Sequence, residues 1–359
     1  MVTMQRILFV LVLCLVLSSA LAASTTTWES DMQGAARAYE KGDYREAERL
    51  WSQALEKTKN FKAKDRRVTT NMNNLAALYY LQGKYSEAEP LFERALALLV
   101  KLLGPNHLDV ATDLNNLALV YDAQGRYAKA EPLHQRALVI WEESLGPDDP
   151  EVATALNNLA GTYSAQGRYD QAKPLYERAL TIVKQSYGLG HTDVATSLNN
   201  LANLYRVQGN YQEAVPLFEQ ALTITIALRG SEHPDVGTDL NNLGLTHAAM
   251  GQYERAEAFY KRALAIWEKA LGSDHPQVAI ALNNLAGLYM VQAKYGDAEP
   301  LYRRTLAIWE EALGRDHPDV GMALENYADL LRKTERPVEA KKAQSRADTI
   351  KAKRGRVTQ

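Results

Sequence analysis

Apolar residues along this chain form helical stripes that alternate between two kinds. In residues 107–148, Val110, Leu114, Leu117, Ala118 and Tyr121 recur at spacings of three and four, which predicts a helix with one apolar face. Gln124-Gly125 ends that helix, because glycine supplies the left-handed backbone a helix terminus favours. Tyr127, Ala130, Leu133, Ala137, Leu138 and Trp141 make the apolar stripe of a second, longer helix, which Leu145-Gly146 closes. Pro147 to Pro150 then forms the loop to the next pair, with proline and acidic residues suited to a helix start. Pro132 sits early in the second helix, where its missing N–H costs little and a slight bend is expected.

This pattern repeats with a step of 42 residues. Asn-Asn pairs stand at Asn73-Asn74, Asn115-Asn116, Asn157-Asn158, Asn199-Asn200, Asn241-Asn242 and Asn283-Asn284, and Asn326 continues the second position. The turn glycine recurs at Gly83, Gly125, Gly167, Gly209 and Gly251, with Ala293 and then Glu335 in its place further on. Small residues such as Ala118, Ala130 and Ala137 recur where paired helices must approach to roughly 8–10 Å. One helix pair cannot bury both of its apolar faces, so the pairs must stack into an all-α solenoid. About eight antiparallel pairs are expected over residues 23–352. The first and last are worn, as units that cap a stack are: Gln33 replaces the asparagine in the first, and the eighth ends in a polar helix.

Leu117-Ala118, Tyr121, Gly125, Tyr127, Ala130 and Ala137 resemble the signature of the tetratricopeptide repeat. The 42-residue step, the LNNLA helix and the LG-x-DHP-x-V linker resemble, more narrowly, the kinesin light chain class. The resemblance covers about residues 28–350 and implies a right-handed superhelix. No heptad-repeat coiled coil precedes the repeats, so a motor-subunit role does not carry over.

Asparagine is a mediocre helix former and gains nothing from an apolar interior, so its recurrence asks for a reason. In proteins of the resembling family the first helices line a concave groove, and an asparagine matching Asn74, Asn116, Asn158, Asn200, Asn242, Asn284 and Asn326 contacts bound peptide. An amide offers donors and acceptors that can hold an extended backbone without reading its sequence. The competing reading is that the amides bond between adjacent helices and fix the stack; each member of a pair can follow a different rule. Tyr80, Asp122, Ser164, Arg206, Ala248, Met290 and Arg332 occupy the variable stripe expected to choose the ligand. Of these, Arg206 and Arg332 resemble the basic groups with which some tetratricopeptide domains clamp a terminal carboxylate.

Composition narrows the functional classes further. With 41 Lys plus Arg against 43 Asp plus Glu, the chain has no field for gripping nucleic acid. Its one cysteine, Cys14, excludes a disulfide framework and a cysteine-ligated metal centre. Arg6, the apolar run Ile7 to Leu17 and the small residues up to Ala22 predict a secretory signal over residues 1–22, cleaved after Ala22. Export to a periplasm or the exterior follows, with no membrane span after cleavage, and membrane anchoring if the signal is retained. His107, His191, His233, His275 and His317 share one loop position, with Asp149 there in another copy; stacking holds them too far apart to ligate one ion. No phosphate loop, HExxH or GxSxG elbow is present, so no enzyme, cofactor or metal is expected. The basic residues 353–359 are expected to form a disordered tail. The expected role is an exported scaffold binding a peptide or protein segment; self-association within a cell-envelope assembly is the alternative.

Overall fold

Tyrosine opens, and a left-handed turn precedes, most of the second helices in this molecule, and that punctuation divides it into pairs. The computed structural model describes residues 27–61 and 65–356, and all extended regular structure among them is α-helical. Two compact units are present, the first ending at Pro147 and the second beginning at Asp148. The first holds α1 (Thr27–Glu40) against α2 (Tyr44–Lys57), α3 (Arg66–Leu81) against α4 (Tyr85–Leu103), and α5 (Leu108–Ala123) against α6 (Tyr127–Leu145). In the second, α7 (Pro150–Ala165) pairs with α8 (Tyr169–Tyr187) and α9 (Thr192–Val207) with α10 (Tyr211–Arg229). There too α11 (Pro234–Ala249) pairs with α12 (Tyr253–Leu271), α13 (Pro276–Val291) with α14 (Tyr295–Ala312), and α15 (Pro318–Lys333) with α16 (Pro337–Arg356). Within each unit every pair also packs on the next, so each is an α-solenoid of stacked helix pairs.

The turn between the helices of a pair is fixed by backbone bonds. After α5, Gly125 N–H donates to Asp122 O at 2.9 Å and Arg126 N–H to Tyr121 O at 2.8 Å, with Gly125 at φ 76°. Ala293 and Glu335, which replace the glycine, keep φ at 57° and the same bonds, Lys294 N–H to Tyr289 O at 2.9 Å and Arg336 N–H to Leu331 O at 2.9 Å. Packing therefore enforces a left-handed residue there even where the side chain disfavours it.

Histidine starts α5, α9, α11, α13 and α15. Nδ1 of His107, His191, His233, His275 and His317 accepts the backbone N–H two residues on at 3.1–3.2 Å, as Asp149 does for α7 at 2.9 Å. These rings serve as N-caps, satisfying a donor that a helix start leaves without an internal partner.

Small residues set the approach of the helices, as their recurrence suggests. Ala118, Ala130 and Ala137 are wholly buried, and one position of the second helix inserts a ring between the pair: Phe92, His134, Tyr176, Phe218, Tyr260 and Tyr302 are all buried. On α11, Gly237 and Gly244 stand where most of the other regular copies have alanine, and rings of α12 take up the space. A Cβ on Gly244 would lie 2.6 Å from the Tyr260 ring, and one on Gly237 2.6 Å from the Trp267 indole.

The C-terminal end departs from expectation. α16 runs to Arg356, past position 352, since lysine, alanine and arginine favour helix and no proline intervenes. The predicted signal segment, with Cys14, lies outside the described residues. Among the described residues no helix is long and apolar enough to cross a membrane.

Candidate functional site

The first helices of successive pairs touch one another directly, α3 with α5 in the first unit, and α7 with α9, α9 with α11, α11 with α13 and α13 with α15 in the second. The second helices of successive pairs make no comparable contact. Within each unit the first helices therefore line the inner side of the stack, and the asparagines sit on that side or between neighbouring first helices.

None of the asparagines is exposed, and the two members of a pair do different work. Asn73, Asn157 and Asn199 each donate from Nδ2 to the residue 40 positions on: Asp113 Oδ1 at 2.5 Å, Ser197 Oγ at 3.3 Å and Asp239 Oδ1 at 2.7 Å. After Asn241 and Asn283 that place holds Ala281 and Ala323, which cannot accept. The bond is then made the other way: Asn284 Nδ2 donates to Asn241 Oδ1 at 2.8 Å, and Asn326 Nδ2 to Asn283 Oδ1 at 3.2 Å. Asn115 is also followed by alanine, Ala155, and its Oδ1 lies 3.0 Å from His134 Nδ1.

The structure thus supports the stack-fixing geometry for the first member of the pairs. The second members divide. Asn284 and Asn326 spend donors inside the stack, Asn74 and Asn116 are buried, and Asn158, Asn200 and Asn242 are half-buried on α7, α9 and α11. Thr154, Thr196 and Thr238 stand one turn earlier on the same helices, also half-buried.

The variable stripe carries the electrostatics. In the first unit, Asp122 Oδ2 lies 3.1 Å from Nε2 of the buried His134. Earlier on the same helix, burial, the larger effect, pushes the Asp113 carboxyl up to about 7 against the pull of its bond from Asn73. In the second unit, Arg206 bonds Asn203 Oδ1 through Nε at 3.2 Å and Nη2 at 2.6 Å. Desolvation holds its guanidinium below the usual arginine range. Arg332, the other predicted basic group, is exposed and engaged with Asp329 and, at 2.6 Å, with Gln344 Oε1. The two predicted arginines therefore differ: one is paired at the surface, the other half-buried with an amide for company.

Among the described residues no group of three or more His, Cys, Asp or Glu could hold a metal ion. Sequence reasoning missed Asp113, Ser197, Asp239, His134 and Asn203. The signal for the first three was present in the alternation of Asp, Ser and Ala at the place 40 residues after each first asparagine. His134 was legible as the one histidine at a position otherwise aromatic through the regular copies.

Compared with the curated proteins, the chain matches none. Among solved structures it is similar to BtubC (BKLC) from P. vanneervenii, at 27% identity over 69% of this chain and 94% of that one, with a TM-score of 0.49. A Podosopora anserina putative kinesin light chain with nearly identical TPR-like repeats also matches, at 27% identity over 57% of this chain and 97% of that one, TM-score 0.47. The Rap conjugation gene regulator of plasmid pLS20, solved in complex with the Phr* peptide, shares the fold at 17% identity over 84% of this chain and 79% of that one, TM-score 0.61. Tetratricopeptide repeat family models match overlapping stretches from 32 to 185 and from 193 to 350. With that match, the 42-residue step and the stacked pairs in agreement, the chain belongs to the tetratricopeptide repeat family.

Proposed function

We propose that this chain is an exported binding scaffold that holds an extended peptide or protein segment along the inner face of its second unit. The observation that carries this reading is the row Asn158, Asn200 and Asn242, one on each successive first helix of the second unit and each half-buried. Amides at a regular interval can bond a peptide backbone, giving affinity with little demand on sequence. The same fold in the Rap conjugation regulator is in complex with a peptide, which is a property of that protein and shows that the architecture has room for one. The work done is recognition rather than chemistry. The first 22 residues direct export, and the intact mass of protein recovered outside the cytoplasm should begin at Ala23.

Selection from a random peptide library tests the groove. The wild-type protein should enrich a set of peptides that a variant with Asn158→Ala, Asn200→Ala and Asn242→Ala does not retain, while its helical circular dichroism stays unchanged. Equal enrichment by a folded triple variant would remove these amides from the site.

A further inference from the structure

The loop that joins α8 to α9 departs from its counterparts at the surface. Leu189, between Gly188 and Gly190, is 71% exposed, where the other regular copies carry Pro105, Pro147, Ser231, Ser273 or Arg315. Tyr187, 45% exposed, stands where α10 ends in Arg229. Its ring stacks on that of His191, with centroids 4.0 Å apart and planes 23° from parallel, so the aromatic is held in place. Two large apolar side chains on one glycine-flanked loop gain nothing from water.

Carboxylates gather beside them. Glu151 and Asp193 hold the second position of the neighbouring first helices α7 and α9, and Asp149 caps α7. Partial burial, and then the charges of Asp149 and Asp193, hold Glu151 above the usual carboxylate range. The Tyr187 phenol is raised by desolvation first and then by Asp193, Glu151 and Asp149, so all four groups lie within electrostatic reach of one another. Other copies neutralise this helix position: Asp109 pairs with Arg66, and Asp235 with Arg229 at 3.6 Å. With tyrosine in the place of that arginine, no lysine or arginine lies within 4 Å of the three carboxylates among the described residues, half-buried Lys184 included. Asp193 has only the His191 ring beside it at 3.5 Å, whose Nδ1 accepts a backbone N–H and so carries no proton there.

We infer that this loop is a docking surface for the basic C-terminal end of a second copy of the chain. A guanidinium is seated between the Tyr187 ring and the carboxylates, and an apolar side chain lies against Leu189. Charge complementarity selects the occupant: a site that joins aromatic, apolar and acidic groups fits arginine, whose plane stacks on a ring while its N–H groups reach carboxylates. The molecule already seats guanidinium groups on tyrosines, Arg126 on Tyr121 at 4.6 Å and Arg168 on Tyr163 at 4.2 Å. Past Lys351, which pairs with Glu325, residues 353–357 read KRGRV, basic at Lys353, Arg354 and Arg356, apolar at Val357 and without an acid. The other acid-free stretch of comparable charge, residues 57–64, has Lys57 on Asp31 and Lys59 on Glu56. The tail cannot serve its own loop. It leaves the fourth helix pair beyond, about 30 Å away at roughly 10 Å per pair, and the three residues after α16 reach about 10 Å. The contact therefore runs between copies, and it does not depend on a peptide in the inner groove.

Sedimentation equilibrium of the whole protein tests the contact. In about 50 mM salt the average mass should rise above that of one chain as concentration approaches roughly 100 µM, since so small a contact is weak, and about 500 mM salt should reverse the rise. Glu151→Lys with Asp193→Lys, and separately Arg354→Glu with Arg356→Glu, should each weaken association about tenfold or more while helical circular dichroism stays unchanged. An equimolar mixture of the two variants should associate again at wild-type strength, because the reversed loop of one then meets the reversed tail of the other. A damaged fold cannot produce that recovery. Leu189→Ser should weaken association and leave its salt dependence in place. The mass of one chain at every concentration in low salt would overturn the second copy as occupant. Association unchanged by either reversal, or a mixture no stronger than its components, would overturn the surface itself.

Discussion

Asp113 should be a liability at neutral pH, and replacing it by asparagine should stabilise the first unit. The carboxyl is 1% exposed on α5, accepts a bond from Asn73 Nδ2, and has Oδ2 buried without a hydrogen-bond partner. Burial raises it from 3.8 to about 7. The folded form therefore keeps its proton over a range in which the unfolded chain has released it. Stability then falls as pH rises from about 4 to about 7, because the unfolded state binds fewer protons there. At about 1.4 kcal/mol per unit, a shift of about three units amounts to about 4 kcal/mol lost above pH 7, relative to acid. Asp113→Asn removes the charge and keeps the shape, and it supplies an N–H2 donor where Asn73 Oδ1 is itself a buried acceptor without a partner. Urea unfolding followed by tryptophan fluorescence, with Trp141 on the adjoining α6, should show the variant more stable by about 2–4 kcal/mol at pH 8 and level with wild type near pH 4. A lower urea midpoint at pH 8, or an equal shift at both pH values, would refute the argument from burial.

Three more expectations follow from single contacts. Asp239→Ala recreates the arrangement around Ala281, so Asn242 should turn to donate to Asn199; selected peptides should bind more weakly while the melting temperature moves little. Gly244→Ala gains about 1 kcal/mol of helix propensity but places a Cβ 2.6 Å from the Tyr260 ring, so a net loss of about 1–2 kcal/mol is expected in denaturant unfolding, and a gain would show that α12 yields freely. His317 caps α15 with its ring buried and its acidity pushed to about 4 by desolvation, so the unfolded chain takes the proton first and stability falls as pH drops from about 6.5 to about 4, by about 3 kcal/mol. His317→Asp, the residue type that caps α7, should remove that acid sensitivity, which urea midpoints at pH 7 and pH 5 would measure.

What the sequence disclosed depended on whether a residue's reason lay inside its own repeat. The helix ends at Gln124 and Leu145, the left-handed turn at Gly125 and the burial of Ala118, Ala130 and Ala137 are local or nearly so, and the 42-residue step repeated each signal until it could not be missed. The asparagines were ambiguous because their partners lie in the next repeat, 40 or 43 positions on. Polarity at one site, whether Asp, Ser or Ala, decides which way the amide turns. The histidines needed geometry for a similar reason: a loop position shared by Asp149 and five histidines fits an N-cap, but only the bond from the second residue on shows the ring taking the carboxylate's place.

Repetition itself explains why the inner face of the second unit can specialise. Where Asn157 and Asn199 fix the stack through Ser197 and Asp239, the first asparagine is the donor between neighbouring first helices. Once Ala281 and Ala323 replace such acceptors, Asn284 and Asn326 are drawn into the stack instead. The same stretch in which second asparagines are taken up structurally is the one where the stripe turns apolar at Met290 and Val291. The donors that tie neighbouring first helices and the character of the stripe therefore change together along one surface. A solenoid can make such a division with single substitutions, because each repeat answers only to its neighbours.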